Sequence, residues 1–273
     1  MPDSDAAVDL LRVDDLQGSI DASKPDAVIH LAAQSSVPDA FRDPLATYQA
    51  NFTGTHNLLA ALKRSGFKGR FLYVSTAEVY GQTAETQLPV DEAAKVAALN
   101  PYAVSKLAAE TLCDYWNRVE GIDIVIARPF NHIGPGQSPR FAIADFAKSI
   151  MEIKLGLREP VLSVGDLDVT RDFTDVRDVI AAYFLLLSKA ERGATYNVCS
   201  GIERHMGEAV STPTNLADVQ ISIQQDAGRM RKASQRRSCG NNARLTAHTG
   251  WQAEIEWHKS LKDILNDWES KLT

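Results

Sequence analysis

Arg70-Phe-Leu-Tyr-Val-Ser75 decides the fold. The run is short, aromatic and β-branched with almost no polar interruption, as expected of a strand covered on both faces. Upstream, Asp43-Pro44 opens a helical pattern that continues to about Ser65-Gly66, with proline in its first turn and glycine past its end. A second strand-like run, Asp26-Ala-Val-Ile-His-Leu31, precedes it. Downstream, a helix begins at Asn100-Pro101 and stops at Gly121, and Ile122-Asp-Ile-Val-Ile-Ala-Arg128 and Ala194-Thr-Tyr-Asn-Val-Cys199 read as further strands. Strands alternating with long helices predict an α/β architecture around a parallel sheet. Ligands of such sheets bind beyond the carboxyl ends of the strands, so the residues just after each strand are the ones to read for function.

After Arg128 the text turns to proline- and glycine-punctuated loops (Asn131-His-Ile-Gly-Pro-Gly-Gln-Ser-Pro139), and a second, smaller domain is expected to start there. Helices are predicted over 141–155, 174–189 and 259–271, and a strand over 219–224. The chain has 273 residues, 44% apolar and 23% charged, with a net charge of −6. That length supports more than one core and excludes a disordered tail or a small disulfide scaffold. The longest apolar run, Ala181 to Leu187, is far short of the roughly 20 residues a membrane span needs. Met1-Pro2-Asp3-Ser4-Asp5 lacks a basic and an apolar region, so no secretory signal and a cytoplasmic location are expected. Cys113, Cys199 and Cys239 lack the spacing of a disulfide set or a zinc site. The acidic balance argues against nucleic acid as a partner, and an anionic ligand would need local cations.

Tyr102-Ala-Val-Ser-Lys106 carries the most chemistry. At i and i+4 on a helix the phenol and the ammonium share a face, and a nearby ammonium is expected to draw a phenol's pKa of about 10 toward the working pH. At the end of the preceding strand, Ser75-Thr76 offers a hydroxyl for the substrate oxygen that the tyrosine would protonate; a strand-capping turn is the other reading. His30-Leu-Ala-Ala-Gln34 ends an earlier strand in small residues that allow a flat cofactor, or a packed helix, to approach the backbone. Asn51, in a largely apolar helical segment, requires hydrogen-bond partners if buried.

These segments, with Asn51-Phe-Thr-Gly-Thr55, Ser75-Thr-Ala-Glu-Val-Tyr-Gly81, Asn100-Pro-Tyr-Ala-Val-Ser-Lys106, Ala127-Arg-Pro-Phe-Asn131 and Arg171-Asp-Phe-Thr-Asp-Val-Arg-Asp178, resemble the extended short-chain dehydrogenase/reductase family of nucleotide-sugar epimerases, dehydratases and reductases. The resemblance covers residues 8 to about 200, and Asn242-Ala-Arg-Leu245, Thr249-Gly-Trp251 and Ser260-Leu-Lys-Asp-Ile-Leu265 look like the family's closing segment. Pro129-Phe-Asn-His-Ile-Gly-Pro-Gly-Gln137 and Val164-Gly-Asp-Leu-Asp-Val-Thr-Arg-Asp172 look most like its GDP-4-keto-6-deoxy-mannose reductases, which make GDP-rhamnose. The resemblance implies a Rossmann-like, doubly wound parallel sheet over 1–130 and about 176–200, and an α/β substrate domain over 131–175 and 201–273. It implies NAD(P)H-dependent reduction of a C4 ketone, with Thr76, Tyr102 and Lys106 catalytic, Asn51 supporting them and Glu78 at the site. Asp9 and Leu10 would touch the adenine; Leu31, Ala32, Ala33, Gln34 and Pro129 would line the dinucleotide, NAD or NADP. Asn131, Arg171 and Arg231 would meet a GDP-sugar, an ion pair of Arg171 with Asp172 or Asp175 being the alternative. A homodimer through the helices of Asn51 and Tyr102 is implied, and no metal.

The sequence departs from that pattern in four places. It contains no Gly-x-x-Gly-x-x-Gly opening a helix for the pyrophosphate. Val8-Asp9-Leu10 reads as the end of a later strand, so about one βαβ unit, on the order of 30 residues, is expected to be missing. Ser234 stands where the related reductases carry an acid for the ribose, within a basic stretch, Arg229 to Arg237, that also reads as a solvated loop, and the stretch from His205 to Leu216 reads as a poor helix. Ala77 stands where many dehydratases of the family carry an acid beside the position of Glu78, which favours reduction over 4,6-dehydration without excluding it; 4-epimerisation is a further alternative. The remaining alternative is a chain that keeps the catalytic residues but binds no dinucleotide.

Overall fold

The computed structural model describes residues 8–226, 228 and 235–273. Arg231 and Ser234 lie outside the described residues. In chain order the elements are α1 (Val13–Ser23), β1 (Ala27–His30), α2 (Val37–Arg42), α3 (Pro44–Tyr48), a π-helical turn (Gln49–Thr53), α4 (Gly54–Arg64), β2 (Arg70–Val74), α5 (Pro101–Arg118), β3 (Asp123–Pro129) and β4 (Asn131–Ile133). There follow α6 (Ala142–Lys154), β5 (Val161–Val164), β6 (Thr170–Asp175), α7 (Val176–Lys189), β7 (Thr195–Val198), β8 (Glu203–His205), α8 (Glu208–Ala217), β9 (Ser222–Gln225), α9 (Ala243–Thr249) and α10 (Trp257–Leu272).

The main sheet has the order β1-β2-β3-β7 and is parallel throughout. Side chains alternate across it with a period of two. Phe71 and Tyr73 of β2, with Ile124 and Ile126 of β3, pack under Leu16, Leu58, Leu62, Ala109 and Trp116 of α1, α4 and α5. Leu72, Val125 and Ala127 point the other way, into Val179, Ala182, Tyr183 and Leu186 of α7 and Leu245 of α9. Helices therefore cover both faces, the doubly wound α/β arrangement. A separate core joins α6, α8 and α10 through Phe146, Ile150, Val210, Leu261 and Leu265, backed by the three-stranded sheet β4-β6-β8 and the pair β5-β9. Among the described residues no helix is long and apolar enough to cross a membrane, and all three cysteines are buried and free.

The structure corrects several expectations. The helix read from Asp43 to Gly66 is interrupted by the π turn at Gln49–Thr53. The helix predicted from Thr174 begins at Val176, because Thr170–Asp175 is a strand and the Asp175 carboxylate caps the helix by accepting from the Arg177 N–H. The poor helix at 205–216 is a helix, α8, despite Pro213 within it. Ala209, Val210, Pro213 and Ala217 form one buried face, so tertiary packing outweighs a proline penalty of about 3 kcal/mol. The strand read over 219–224 begins at Ser222.

Candidate active site

The candidate residues gather at the carboxyl ends of β1, β2 and β3. Leu31 to Gln34 follow β1, Thr76 follows β2, and Pro129 is the last residue of β3. Leu31 and Ala32 are exposed, Ala33 and Gln34 half-buried. The first turn of α5 enters over this end because Asn100 caps it: its side-chain oxygen accepts from the Ala103 N–H at 2.8 Å, with Pro101 next. Asn100 Nδ2 also donates to Glu78 at 3.1 Å, tying the exposed carboxylate to the helix start. Gly81 closes the short turn that carries Glu78. Its φ is +65°, and a Cβ there would lie 1.9 Å from the Ala97 carbonyl oxygen.

Tyr102 is half-buried, with the Thr76 hydroxyl close enough to act on its phenol. Burial pushes its phenol up to about 12; the Thr76 hydroxyl pulls the other way and the Glu78 carboxylate adds to the rise. Lys106 is 2% exposed, and its Nζ lies 4.4 Å from the centroid of the Tyr73 ring. Burial brings it down to about 8. The expected pull of Lys106 on the Tyr102 pKa is therefore corrected: the ammonium sits over Tyr73, and the net effect on Tyr102 is upward. At neutral pH the phenol is a proton donor.

Asn51, in the π turn and 1% exposed, has the partners its burial requires. Its Oδ1 accepts from the Gln34 N–H at 2.7 Å, and its Nδ2 donates to the Gln34 carbonyl at 2.9 Å and to Ser105 Oγ at 2.8 Å. One side chain thus joins the loop after β1 to the helix of Tyr102 and Lys106. The backbone carbonyl of Asn51 accepts from Thr55 Oγ1 at 2.6 Å, and that hydroxyl meets His30 Nε2 at 2.9 Å.

Leu10 lies against the start of α4, just after the π turn of Asn51. Asn57 Nδ2 donates to the Leu10 carbonyl at 2.9 Å, and a Cβ on Gly54 would come within 3.1 Å of Leu10 Cβ. Asn131 and Arg171 stand on neighbouring strands of the small sheet, Asn131 in register with Phe173. Arg171 Nη1 donates to the carbonyls of Thr170 and Arg236. Asp172 instead accepts from the N–H groups of Ser200, Gly201 and Gly240, and Asp175 pairs with Arg177 at 2.8 Å. Of the basic stretch, Arg236 pairs with Asp166 and Asp168, and Arg237 with Glu203 and Glu85.

Sequence reading missed the buried polar groups that hold the site. Ser75 Oγ and the Arg128 guanidinium both donate to Glu110, one turn beyond Lys106. The available signal was an arginine inside the apolar run of β3 and a glutamate on the inner face of α5.

A family model described as GDP-mannose 4,6 dehydratase matches residues 6–264. The chain belongs to the GDP-mannose 4,6-dehydratase family. Within the family it is 54% identical, over 97% of its length and 86% of the relative's, to GDP-6-deoxy-D-mannose reductase of Pseudomonas aeruginosa. GDP-6-deoxy-D-talose 4-dehydrogenase of Aggregatibacter actinomycetemcomitans is 30% identical, over 80% of this chain and 71% of that one. The solved structure of RMD from P. aeruginosa, complexed with NADPH, superposes with a TM-score of 0.94 at 53% identity, covering 98% of this chain and 89% of the other. The resemblance to nucleotide-sugar reductases, dehydratases and epimerases read from the motifs is thus a family relationship, and the fold is the family's.

Proposed function

We propose that this chain reduces the C4 ketone of a GDP-linked 4-keto-6-deoxy-mannose to GDP-rhamnose, with NAD(P)H as reductant. The observation that carries the reaction type is the Tyr102 phenol, beside the Thr76 hydroxyl at the carboxyl end of the sheet and held protonated well above neutral pH by burial. The 54% identity to a GDP-6-deoxy-D-mannose reductase supports the substrate.

The residues fit the ribose and nicotinamide end of a dinucleotide. Lys106 is a buried cation with no carboxylate within ion-pair distance among the described residues, available to hydroxyl oxygens of a ribose. Ala32 and Ala33 leave the backbone after β1 open to a flat ring. A bound nicotinamide would supply the hydride. Tyr102 would donate a proton to the C4 oxygen while Thr76 Oγ1 holds that oxygen, stabilising the charge that develops on it. Asn51 keeps the Tyr102 helix fixed against the loop after β1. Asn131, Arg171 and Arg231 would meet the diphosphate and nucleotide, Asp9 and Leu10 the adenine, and Leu31, Gln34 and Pro129 the dinucleotide.

The same reading assigns the dinucleotide to 1–130 with about 176–200 and the sugar nucleotide to 131–175 with 201–273, supported by the separate core of α6, α8 and α10. It includes a homodimer through the helices of Asn51 and Tyr102, supported by exposed Leu45, Tyr48, Phe52, Val104, Tyr115 and Val119, and a cytoplasmic location. The test is loss of nicotinamide absorbance when GDP-4-keto-6-deoxy-mannose is added to the purified protein with NADPH. Stoichiometric loss is expected. No loss with this ketone, together with turnover of GDP-mannose without net change in the cofactor, would replace reduction by epimerisation or dehydration, which regenerate the cofactor.

A further inference from the structure

Asp172, next to Arg171 on β6, is fully buried, and the proton transfer above makes no use of it. Its carboxylate meets hydrogen-bond donors on both oxygens. Oδ1 accepts from the Ser200 N–H at 2.9 Å and from the Ser200 hydroxyl at 2.6 Å. Oδ2 accepts from the N–H groups of Gly201 at 3.0 Å and Gly240 at 3.1 Å, with the Cys239 thiol 3.9 Å away. Three backbone N–H groups and a hydroxyl thus balance its charge, as in an anion-binding nest.

The donors come from two segments that are distant in sequence. Ser200 and Gly201 follow β7, at the edge of the main sheet. Gly201 has φ +75°, which turns two successive N–H groups toward one anion. Gly240 ends the segment that carries Arg236 and Arg237, and it admits no side chain, since a Cβ there would lie 2.6 Å from both Cys199 Sγ and the Phe130 ring. That segment is stitched to β6 twice, where the Thr170 N–H donates to the Arg236 carbonyl at 2.8 Å and where Gly240 donates to Asp172. It is also held to the main sheet. The Val90 N–H donates to the Cys239 carbonyl at 2.9 Å, and Asn197 Nδ2 of β7 donates to the Val90 carbonyl at 2.9 Å. Across the small sheet Asp172 is in register with Glu203 of β8, the partner of Arg237.

One carboxylate therefore ties together the strand of Arg171, the segment of Arg236 and Arg237, and the end of β7. The exposed tips of Arg236 and Arg237 can change partners, but the backbone beneath them is pinned. We propose that Asp172 is a positioning residue for the sugar nucleotide: by joining the end of β7 to Gly240, it sets where the arginine-bearing strands of the second domain stand relative to Thr76 and Tyr102. That Arg171 meets a diphosphate rests on the reductase reading; the junction itself does not.

Two variants test it. Asp172→Asn keeps the shape but replaces an acceptor oxygen by a donor, which sets N–H against N–H in the nest. Ser200→Ala removes only the hydroxyl bond and leaves the carboxylate with its three N–H groups, so it serves should the first variant fail to fold. GDP binding is measured by calorimetry, NADPH binding by fluorescence, and kcat/KM for GDP-4-keto-6-deoxy-mannose by nicotinamide absorbance. In Asp172→Asn, GDP affinity and kcat/KM are expected to fall about tenfold, short of the roughly 100-fold that a 1 Å misplacement costs, with NADPH binding within about twofold of the parent. Ser200→Ala should move the same two readings in the same direction by less. GDP binding equal to the parent's in either folded variant overturns the proposal, and so does an equal loss of NADPH binding, which would report a general loosening of the fold. If the parent binds GDP but leaves the ketone unreduced, the reductase reading falls and the positioning role stands; a parent that binds no GDP overturns both.

Discussion

Arg128 and Arg237 both meet carboxylates, and they do so in opposite surroundings. Arg128 grips Glu110 with two nitrogens inside the sheet, the two side chains 9% and 6% exposed, and its remaining nitrogen reaches Tyr80. Arg237 bridges Glu203 and Glu85 at the rim, with side chains 43%, 21% and 65% exposed. Burial makes the first pair costly to disturb, because an ion stranded in low dielectric has no water to fall back on. Exposure makes the second exchangeable, since water and salt replace either partner at little cost. A site that handles a charged substrate needs both, a fixed floor under the reacting groups and cations at the edge that can change partners.

The largest effect is expected from breaking the floor on one side only. Arg128→Met strands Glu110 and should lower stability by about 3–5 kcal/mol, read as a shift of the urea midpoint, while Glu110→Gln/Arg128→Met should recover most of the loss. If the double variant were as unstable as the single, the pair's packing rather than its charge would hold the floor. Next comes the group that the floor supports. Tyr102→Phe should cut kcat by about 100-fold or more, the usual scale of general acid catalysis, and leave sugar-nucleotide binding by calorimetry nearly intact. Turnover within a few-fold of the parent would remove Tyr102 from its role.

The same contrast between buried and surface groups explains what the sequence could tell. The βαβ alternation is legible because strands such as Arg70–Val74 are covered on both faces and read as apolar runs. Tyr102, Lys106 and Thr76 are legible because a helical repeat and a strand end fix where they point. The π turn at Gln49–Thr53 is not, since one extra residue per turn is settled by the bonds of Asn51 to Gln34 and Ser105, which are distant in sequence. β4, β5 and β8 are three or four residues long, too short for a period to show. α8 hides behind Pro213 because only its packing against the second core reveals it. The glutamate under Lys106 announces nothing by spacing alone, as an i+4 carboxylate on a helix is usually a solvated partner.

A third prediction concerns the cost of the floor itself. Lys106 titrates near 8 in the folded chain and near 10.5 unfolded. The unfolded chain therefore holds more protons between those values, so stability rises with pH across that window. Below pH 8 the buried ammonium costs on the order of 3 kcal/mol. Lys106→Met should raise the urea midpoint at pH 7, with the gain shrinking toward pH 10, and should abolish reduction. A variant less stable than the parent at pH 7 would mean that the contact with the Tyr73 ring outweighs desolvation.

The smallest effect is expected at the rim, where salt rather than mutation gives the sharper reading. Arg237→Ala removes both of its ion pairs, yet each is exposed enough that water already competes for it. Tm should fall by less than about 2 °C at low ionic strength, and the difference should vanish near 1 M salt, where screening acts within about 3 Å. Arg128→Met should behave in the opposite way, its loss surviving the same salt because the Glu110 carboxylate it strands is out of reach of ions. Should the Arg237 effect prove large and persist in salt, the bridge from Glu85 to Glu203 would be a rigid strap joining the two parts of the molecule, and the arginines at the cleft would not be free to change partners.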